Sequence, residues 1–312
     1  GVMRNTQPLS NAVAIEGAAP IRCHLDLQAS VLMVLFCLAL GFQQVAIKIV
    51  AADISPLAQV ALRSSIAALL VAALVHWQGI RLADMRAHWL PGLLVGLGFS
   101  AEFTFVAWGL NYTLASHMSV FLYTAPVFAA LGLHWLVPGE QLTRRQWMGI
   151  GLAFGGMVFA MAPDTEIEHA ADILRGDILG LLAGLSWAAT TLVIRRSSLA
   201  EAPPLQTLYY QLAVAGLLLL PAAALFGDLG RIQITGAVVA SLAFQTLGIS
   251  LAALLLWFAL LKRYFASQLG AFSLLAPVFG VLFGALLLGE PLTINFLLGG
   301  IALLIGLLIV TR

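Results

Sequence analysis

Long apolar runs of about 20 residues alternate along the chain with short segments rich in proline, glycine and charged residues. One membrane-spanning helix needs about 20 consecutive apolar residues. The runs are continuous and do not alternate residue by residue, which excludes a membrane β-barrel. The pattern predicts ten spans, at 29–50, 56–77, 89–110, 114–137, 143–162, 177–196, 204–226, 235–260, 265–288 and 292–311.

The composition supports the same fold class. Of the 312 residues, 61% are hydrophobic and 9% are charged, whereas soluble domains are about 45–50% apolar and about 25% charged. This excludes a soluble enzyme and a disordered protein, and the net charge of +1 gives no field that would attract nucleic acid. We therefore expect an all-α polytopic membrane protein without a nucleic-acid partner.

The basic residues predict the orientation of the chain. With the amino terminus in the cytoplasm, 11 of the 15 lysines and arginines lie on the inner side, as the positive-inside rule requires. Both termini are then cytoplasmic, residues 1–28 form a flexible cytoplasmic tail, and residues 163–176 form an acidic loop outside. The acidic residues expected to face outward there are Asp164, Glu166, Glu168, Asp172 and Asp177.

Two parts of the sequence repeat each other. The segment 115–128 and the segment 266–279 share seven of 14 residues, including Ala-Pro-Val-Phe, and a Gly-Glu-x-Leu-Thr motif follows each of them at 139–143 and 289–293. The chain therefore divides into two five-helix repeats, 29–162 and 177–312. Because five is odd, the second repeat has inverted topology, which is typical of secondary transporters. Duplication in a channel or a membrane enzyme is the alternative.

These motifs resemble the drug/metabolite transporter superfamily, in particular its EamA-type ten-helix exporters and, among them, the bacterial aromatic amino-acid exporters. The run Gly-Phe-Gln-Gln-Val-Ala-Ile-Lys at 41–48 and the Ser55-Pro56 pair followed by Arg63 add to the resemblance. It implies a central cavity lined by spans 1, 3, 4, 6, 8 and 9, with spans 5 and 10 at the periphery. The related four-helix exporters use a carboxylate in the first span, where this chain has Gln43 and Gln44, so their proton coupling is not carried over.

Ionisable residues inside a span usually face a cavity or a partner. Glu102 lies deep in the third span, on a helical face that includes Phe99. Its carboxylate suits an ammonium group or a transported proton, and the alternative is a structural glutamate satisfied by a neighbour. For Lys48 and Arg63 we favour ion pairing and snorkelling at the outer interface near Asp53 over capture of a substrate carboxylate.

Other polar and aromatic residues complete the candidate site. Amides bind a zwitterion without fixing its charge, and aromatic walls stack on aromatic solutes. Pro126 and Pro277 each free a backbone carbonyl and are candidate hinges. Interhelical packing and static kinks are the alternative roles. The predicted substrate-binding residues are Gln44, Phe99, Glu102, Tyr123, Trp187, Thr191, Gln245 and Ser273.

The sequence contains no Walker loop, no nucleophile elbow and no metal-ligand spacing. We therefore expect no enzyme activity, no catalytic residues, no cofactor and no metal. The predicted function is export of aromatic and other neutral amino acids, or similar small amphipathic metabolites, across the inner membrane by a multi-pass monomer or homodimer in the lipid bilayer. The alternatives are export of a drug, purine or nucleotide-sugar-like solute on the same fold, or a non-transporting membrane enzyme or receptor.

Overall fold

The computed structural model describes residues 23–163 and 169–311, and most of these residues are helical. The first half contains α1 (Leu27–Ile49), α2 (Pro56–Trp77), α3 (Trp89–Leu110), α4a (Ala115–Leu122), α4b (Ala125–Leu136) and α5 (Arg144–Met161). The second half contains α6 (Ala170–Arg195), α7 (Pro204–Leu225), α8a (Gly236–Ala243), a π-helix (Phe244–Ala253), α8b (Leu254–Arg263), α9a (Ala266–Phe272), α9b (Leu275–Leu288) and α10 (Ile294–Thr311). A short helix, Leu82–Arg86, joins α2 to α3.

Nine helical segments of the described ranges are long and apolar enough to cross a membrane: α1, α2, α3, α4, α6, α7, α8, α9 and α10. Here α4, α8 and α9 each comprise the consecutive pieces named above. The helix α5 begins with Arg144, Arg145 and Gln146, which lower its mean hydropathy. The polytopic all-α fold is thus confirmed, while α5 as a tenth span and the cytoplasmic termini remain predictions. Residues 1–22 of the predicted tail, and Asp164, Glu166 and Glu168, lie outside the described residues.

Two helix starts differ from the sequence prediction. α1 begins at Leu27 because the Asp26 carboxylate accepts a hydrogen bond from the Ala29 N–H, at 2.8 Å. α6 begins at Ala170, so it includes the end of the predicted acidic loop. Asp177, which we expected in that loop, is buried inside α6 with 2% of its surface exposed.

The repeated motifs mark breaks and turns in the backbone. α4 is interrupted at Tyr123-Thr124 and α9 at Ser273-Leu274, in each case just before the Ala-Pro pair. A proline lacks the N–H that would continue the helical ladder, which accounts for both interruptions. Both Gly-Glu turns need glycine, because Gly139 and Gly289 have φ of 88° and 63°, where a side chain is disfavoured.

The helices pack mainly in pairs: α1 against α9b, α2 against α7, α3 against α6, and α5 against α10. The α5–α10 pair approaches closely at Gly156 and Gly299, where an added Cβ would meet the backbone of the facing helix. Such small residues let helix backbones touch in membranes. We use "predicted outer end" for the end of the bundle with the 51–55, 111–114 and 289–293 loops, which the basic residues place outside.

Candidate functional site

A hydrogen-bonded layer joins α1, α2 and α8 near the predicted outer end. The Gln59 amide donates to the backbone carbonyl of Ile47 on α1, at 2.9 Å. The Gln245 amide of the π-helix donates to Gln59 Oε1, at 2.8 Å. An amide both donates and accepts, so Gln59 bridges two neighbouring helices at once. Gln245 is therefore buried inside the bundle and anchored to α2, while its substrate-binding role remains a prediction.

One turn deeper, α2 and α3 present two buried groups of opposite charge. Arg63 is 1% exposed and Glu102 is 7% exposed. Arg63 lies seven residues after the start of α2, about 10 Å below the predicted outer end at 1.5 Å per residue. Its guanidinium carbon is 4.5 Å from the centre of the Phe103 ring. The two charged groups interact electrostatically across the bundle interior.

Arg63 and Glu102 do not form a direct ion pair. Among the described residues, no nitrogen of Arg63 lies within 4.0 Å of a Glu102 oxygen, and neither side chain makes a hydrogen bond. The Nη1 atom of Arg63 is buried, and no described residue is its hydrogen-bond partner. The electrostatic interaction therefore joins two groups whose hydrogen-bonding capacity is unused.

Further buried polar atoms have no hydrogen-bond partner among the described residues. Buried polar groups in proteins are nearly always hydrogen-bonded, so each exception needs a physical reason. Of the eight such atoms in the described part of the chain, six belong to α1, α2 and the π-helix. A π-helix within a longer helix is frequent at functional sites. The eight atoms are Gln43 Oε1, Gln44 Oε1, Arg63 Nη1, Ser64 Oγ, Ser116 Oγ, Gln206 Oε1, Gln245 Oε1 and Thr246 Oγ1.

Aromatic side chains border the charged groups. Phe99 and Phe103 lie on α3 with ring centres 4.8 Å apart. Tyr123, at the break in α4, meets Trp187 of α6 edge to face, with ring centres 5.5 Å apart. Tyr123 also lies within electrostatic range of Glu102. The structure thus places a carboxylate, an arginine and an aromatic pair in one part of the interior.

The remaining predicted residues are less closely connected to this group. The hydroxyls of Thr191 and Ser273 donate to carbonyls of their own helices, at 3.1 Å and 2.7 Å. Gln44 is buried with its amide oxygen unpartnered. Pro126 and Pro277 follow the two helix breaks. The substrate-binding and hinge roles of all these residues remain predictions.

The sequence analysis misjudged Arg63 and missed its surroundings. The expected interfacial ion pairing of Arg63 is wrong, because the side chain is buried against Phe103. Its position seven residues into an apolar helix was the available signal. Lys48 remains near the predicted outer end, where its ammonium group donates to the Thr113 carbonyl. The bridge made by Gln59 had no sequence signal.

A second polar cluster lies at the predicted outer end. Asp177 of α6 accepts hydrogen bonds from Thr113 Oγ1 at 2.5 Å and from His117 Nδ1 at 3.1 Å. The His117 ring stacks on Phe296 with ring centres 4.0 Å apart. The carboxylate of Glu290 accepts from backbone N–H groups at the start of α4a. These contacts tie α4a to α6, α10 and the α9b–α10 turn.

Two observations bear on other kinds of site. A cavity of about 540 Å³ lies between the start of α6 and the end of α3, and Trp108, Tyr112 and Arg175 line it. Its lining residues do not include Gln59, Arg63 or Glu102. Within residues 23–163 and 169–311, no three His, Cys, Asp or Glu side chains are grouped to hold a metal ion.

Comparisons with known proteins agree with this architecture. The EamA-like transporter family model matches residues 27–162 and 174–312. The uncharacterized transporter YoaV of Bacillus subtilis is 26% identical over 86% of this chain and 91% of its own length. Protein PA1977 of Pseudomonas aeruginosa is 32% identical over 79% and 83% of the two chains.

Two further comparisons concern function and fold. A probable amino-acid metabolite efflux pump of Escherichia coli is 29% identical over 70% of this chain and 75% of its own length. A crystal structure that is 18% identical superposes with a TM-score of 0.65, covering 91% of this chain and 97% of the other. At that identity the structural likeness concerns the fold alone.

Proposed function

The chain belongs to the EamA-like transporter family, and we propose that it exports aromatic and other neutral amino acids, or similar small amphipathic metabolites, across the bacterial inner membrane. It is a multi-pass membrane protein and a transporter, as its family and its relatives indicate. Its substrate is accordingly a small molecule and its surroundings are membrane lipid. The family and these relatives are transporters, which are not enzymes.

The observation that carries the amino-acid proposal is the buried carboxylate of Glu102 beside aromatic rings. Glu102 is 7% exposed. Phe99 lies about one turn away on the same helix, and Tyr123, which packs against Trp187, interacts electrostatically with Glu102. A carboxylate binds an ammonium group, and aromatic rings pack against apolar or aromatic side chains. An amino acid with an aromatic or neutral side chain carries both features. The E. coli relative named as an efflux pump points to the same substrate class.

The proposed mechanism is alternating access around the bundle interior. The two five-helix halves rock against each other, with Pro126 and Pro277 as hinges next to the breaks in α4 and α9. The solute contacts the residues predicted from the sequence: Gln44, Phe99, Glu102, Tyr123, Trp187, Thr191, Gln245 and Ser273. Direct use of Glu102 as a proton carrier is a separate possibility that a pH gradient tests.

Counterflow in proteoliposomes tests this proposal. Vesicles that contain the full chain are loaded with one unlabelled amino acid, and uptake of the same labelled compound is followed with and without a pH gradient. We expect saturable counterflow of phenylalanine and tryptophan, and its loss in Glu102→Gln. The matched control is Ser100→Ala, because the buried Ser100 hydroxyl donates to the Gly96 carbonyl of its own helix.

Two results would contradict the proposal. Folded wild-type protein that exchanges no amino acid, but exchanges a purine or a drug, assigns another solute class to the same fold. Wild-type rates in Glu102→Gln remove Glu102 from the site. Dependence of flux on the pH gradient in the wild type, and its loss in the variant, would assign Glu102 to proton coupling.

A further inference from the structure

The relation between Arg63 and Glu102 is unusual for a structural ion pair. A buried arginine and carboxylate that serve stability normally form direct, often bidentate hydrogen bonds. Here α2 and α3 hold the two groups in electrostatic contact, yet no nitrogen–oxygen distance between them is within 4.0 Å in the described part of the chain. The two groups are thus buried and interact electrostatically without a direct ion pair among the described residues.

This arrangement is costly unless another group completes it. Removing charged groups from water is unfavourable by several kcal/mol per ion, and good hydrogen bonds are needed to offset that cost. Arg63 has five N–H donors, and its buried Nη1 has no partner among residues 23–163 and 169–311. Glu102 also makes no hydrogen bond to a described residue, and it retains 7% of its exposure. Both groups therefore have hydrogen-bonding capacity that the described residues leave unused.

Aromatic rings lie beside the two groups. The Phe103 ring lies 4.5 Å from the guanidinium carbon of Arg63, a distance at which a cation is attracted to the ring face. Phe103 in turn packs on Phe99. Glu102 lies between these two rings in sequence and near Tyr123 in space. A bound solute would meet one cation, one anion and an aromatic surface.

We propose that Arg63 binds the α-carboxylate and Glu102 the α-ammonium group of the transported amino acid. The pair thus selects zwitterions, while the neighbouring aromatic rings contact the side chain. This inference rests on the proposed amino-acid export and assigns its specificity to two residues. A solute with only one of the two charges leaves the opposite buried group unpaired, which costs affinity.

Three ligands distinguish the contributions of the two charges. Phenylalanine carries both charges, phenethylamine lacks the carboxylate, and 3-phenylpropionate lacks the ammonium group. Binding is measured as thermal stabilisation of the purified full chain, so that variants defective in transport still give a result. We expect the wild type to bind phenylalanine at least about tenfold more tightly than either analogue, since a hydrogen bond to a charged group is worth about a factor of ten or more.

The two single variants are expected to lose different ligands. Glu102→Gln should weaken the binding of phenylalanine and of phenethylamine about tenfold and leave the binding of 3-phenylpropionate nearly unchanged. Arg63→Gln should weaken the binding of phenylalanine and of 3-phenylpropionate by the same factor and leave the binding of phenethylamine nearly unchanged. This crossed pattern identifies which group binds which charge, and a merely structural ion pair would not produce it.

Two control variants change half-buried hydroxyls of the same helices. The Ser65 hydroxyl of α2 and the Thr104 hydroxyl of α3 each donate to a carbonyl of their own helix. Ser65→Ala and Thr104→Ala should keep the wild-type preference. If Arg63→Gln or Glu102→Gln does not fold, Arg63→Lys and Glu102→Asp take their place. They keep each charge but move it, so phenylalanine binding should weaken at least about threefold, with the same analogue affected in each case.

If the two variants bind all three ligands equally more weakly, or if the binding of none of the ligands changes, the assignment is overturned. In that event wild-type counterflow of phenylalanine still supports amino-acid export, and only the roles of Arg63 and Glu102 are rejected. If the wild type shows no counterflow of any amino acid, the proposed function fails and the zwitterion site fails with it. The counterflow and the analogue binding therefore distinguish the two failures.

Discussion

The carboxylate of Glu290 accepts a hydrogen bond from the backbone N–H of Ser116 at 2.9 Å, across 174 residues of sequence. Its second oxygen accepts from the preceding N–H, of Ala115, at 2.7 Å. The first N–H groups of a helix have no partner within the helix and attract negative charge. Glu290 thus fastens the α9b–α10 turn to the start of α4a at the predicted outer end.

The repeat partner of Glu290 makes a different contact. Glu140, in the first Gly-Glu motif, forms an ion pair with Arg195 at the end of α6. The two halves therefore share the sequence motif but use its carboxylate differently in this conformation. In an inverted repeat, such a difference distinguishes the two ends of the bundle.

Glu290→Gln should loosen the predicted outer end. Loss of the negative charge removes about 1 kcal/mol of stabilisation at a helix start, which corresponds to roughly a fivefold change in an equilibrium. A cysteine placed at the buried Ser116 in a Cys23→Ser background reports the opening. We expect its labelling by a hydrophilic maleimide, in purified protein, to become about fivefold faster with Glu290→Gln.

Glu140→Gln is the matched control for this labelling. It changes the corresponding residue of the other repeat and leaves the contacts of Ser116 intact, so the labelling rate should stay within about twofold of the parent. Equal acceleration by both variants would mean that general loosening of the bundle, and not the Glu290 contact, protects residue 116.

Asp177→Asn should destabilise the cluster around α4a. The buried carboxylate accepts from Thr113 Oγ1 and His117 Nδ1, and hydrogen bonds to a charged group contribute about 1.5–3 kcal/mol. We expect a lower Tm of the purified protein. The control is Asp172→Asn, since that side chain is 50% exposed and lies 3.9 Å from His169. An exposed pair contributes little, and a Tm loss as large as that of Asp177→Asn would refute the distinction.

Gly299→Ala should weaken the packing of α5 on α10. A Cβ at residue 299 would collide with the backbone at Gly156 and Ala160, and overpacking of this kind costs about 1–3 kcal/mol. The adjacent Gly300 has no atom within 4 Å of an added Cβ. Gly300→Ala should therefore be neutral or raise Tm, because alanine favours helix over glycine by about 0.5–1 kcal/mol. Equal Tm changes in the two variants would contradict the close α5–α10 approach.

The sequence predicted the helices well, because a bilayer requires continuous apolar runs and their length and punctuation are visible in one chain. The starts of α1 and α6 differ from the prediction, because Asp26 caps α1 at Leu27 and because the residues from Ala170 onward are helical despite their polarity. The sequence analysis selected Glu102 as a candidate because a carboxylate in the middle of an apolar run is conspicuous.

Three features of the site could not be predicted in the same way. Arg63 lies near the end of an apolar run, and only the packing of α2 against α3 and α7 determines that it points inward. The π-helix around Gln245 changes hydrogen-bond register without a compositional signal. The Glu290–Ser116 contact joins distant segments, and a single sequence contains no information about which pair meets.

The stability contributed by Asp26 should depend on pH. The hydrogen bond from the Ala29 N–H lowers the pKa of the Asp26 carboxyl below its ordinary value of about 3.9, and the Tyr264 hydroxyl, which donates to the carboxylate at 3.0 Å, acts in the same direction. A lowered pKa stabilises the fold above the ordinary pKa, and this stabilisation is lost as the pH falls through the lowered value.

Asp26→Ala should therefore lower Tm by a constant amount between about pH 7 and pH 5, and the difference from the wild type should shrink below about pH 4. Tyr264→Phe keeps the helix cap and removes one hydrogen bond, so its Tm loss should be smaller with the same pH dependence. Thermal unfolding of the three proteins at pH 7, 5 and 3.5 measures both effects. A wild-type advantage over Asp26→Ala that is undiminished at pH 3.5 would show that the charge of Asp26 is not what fastens α1 to the α8b–α9a turn.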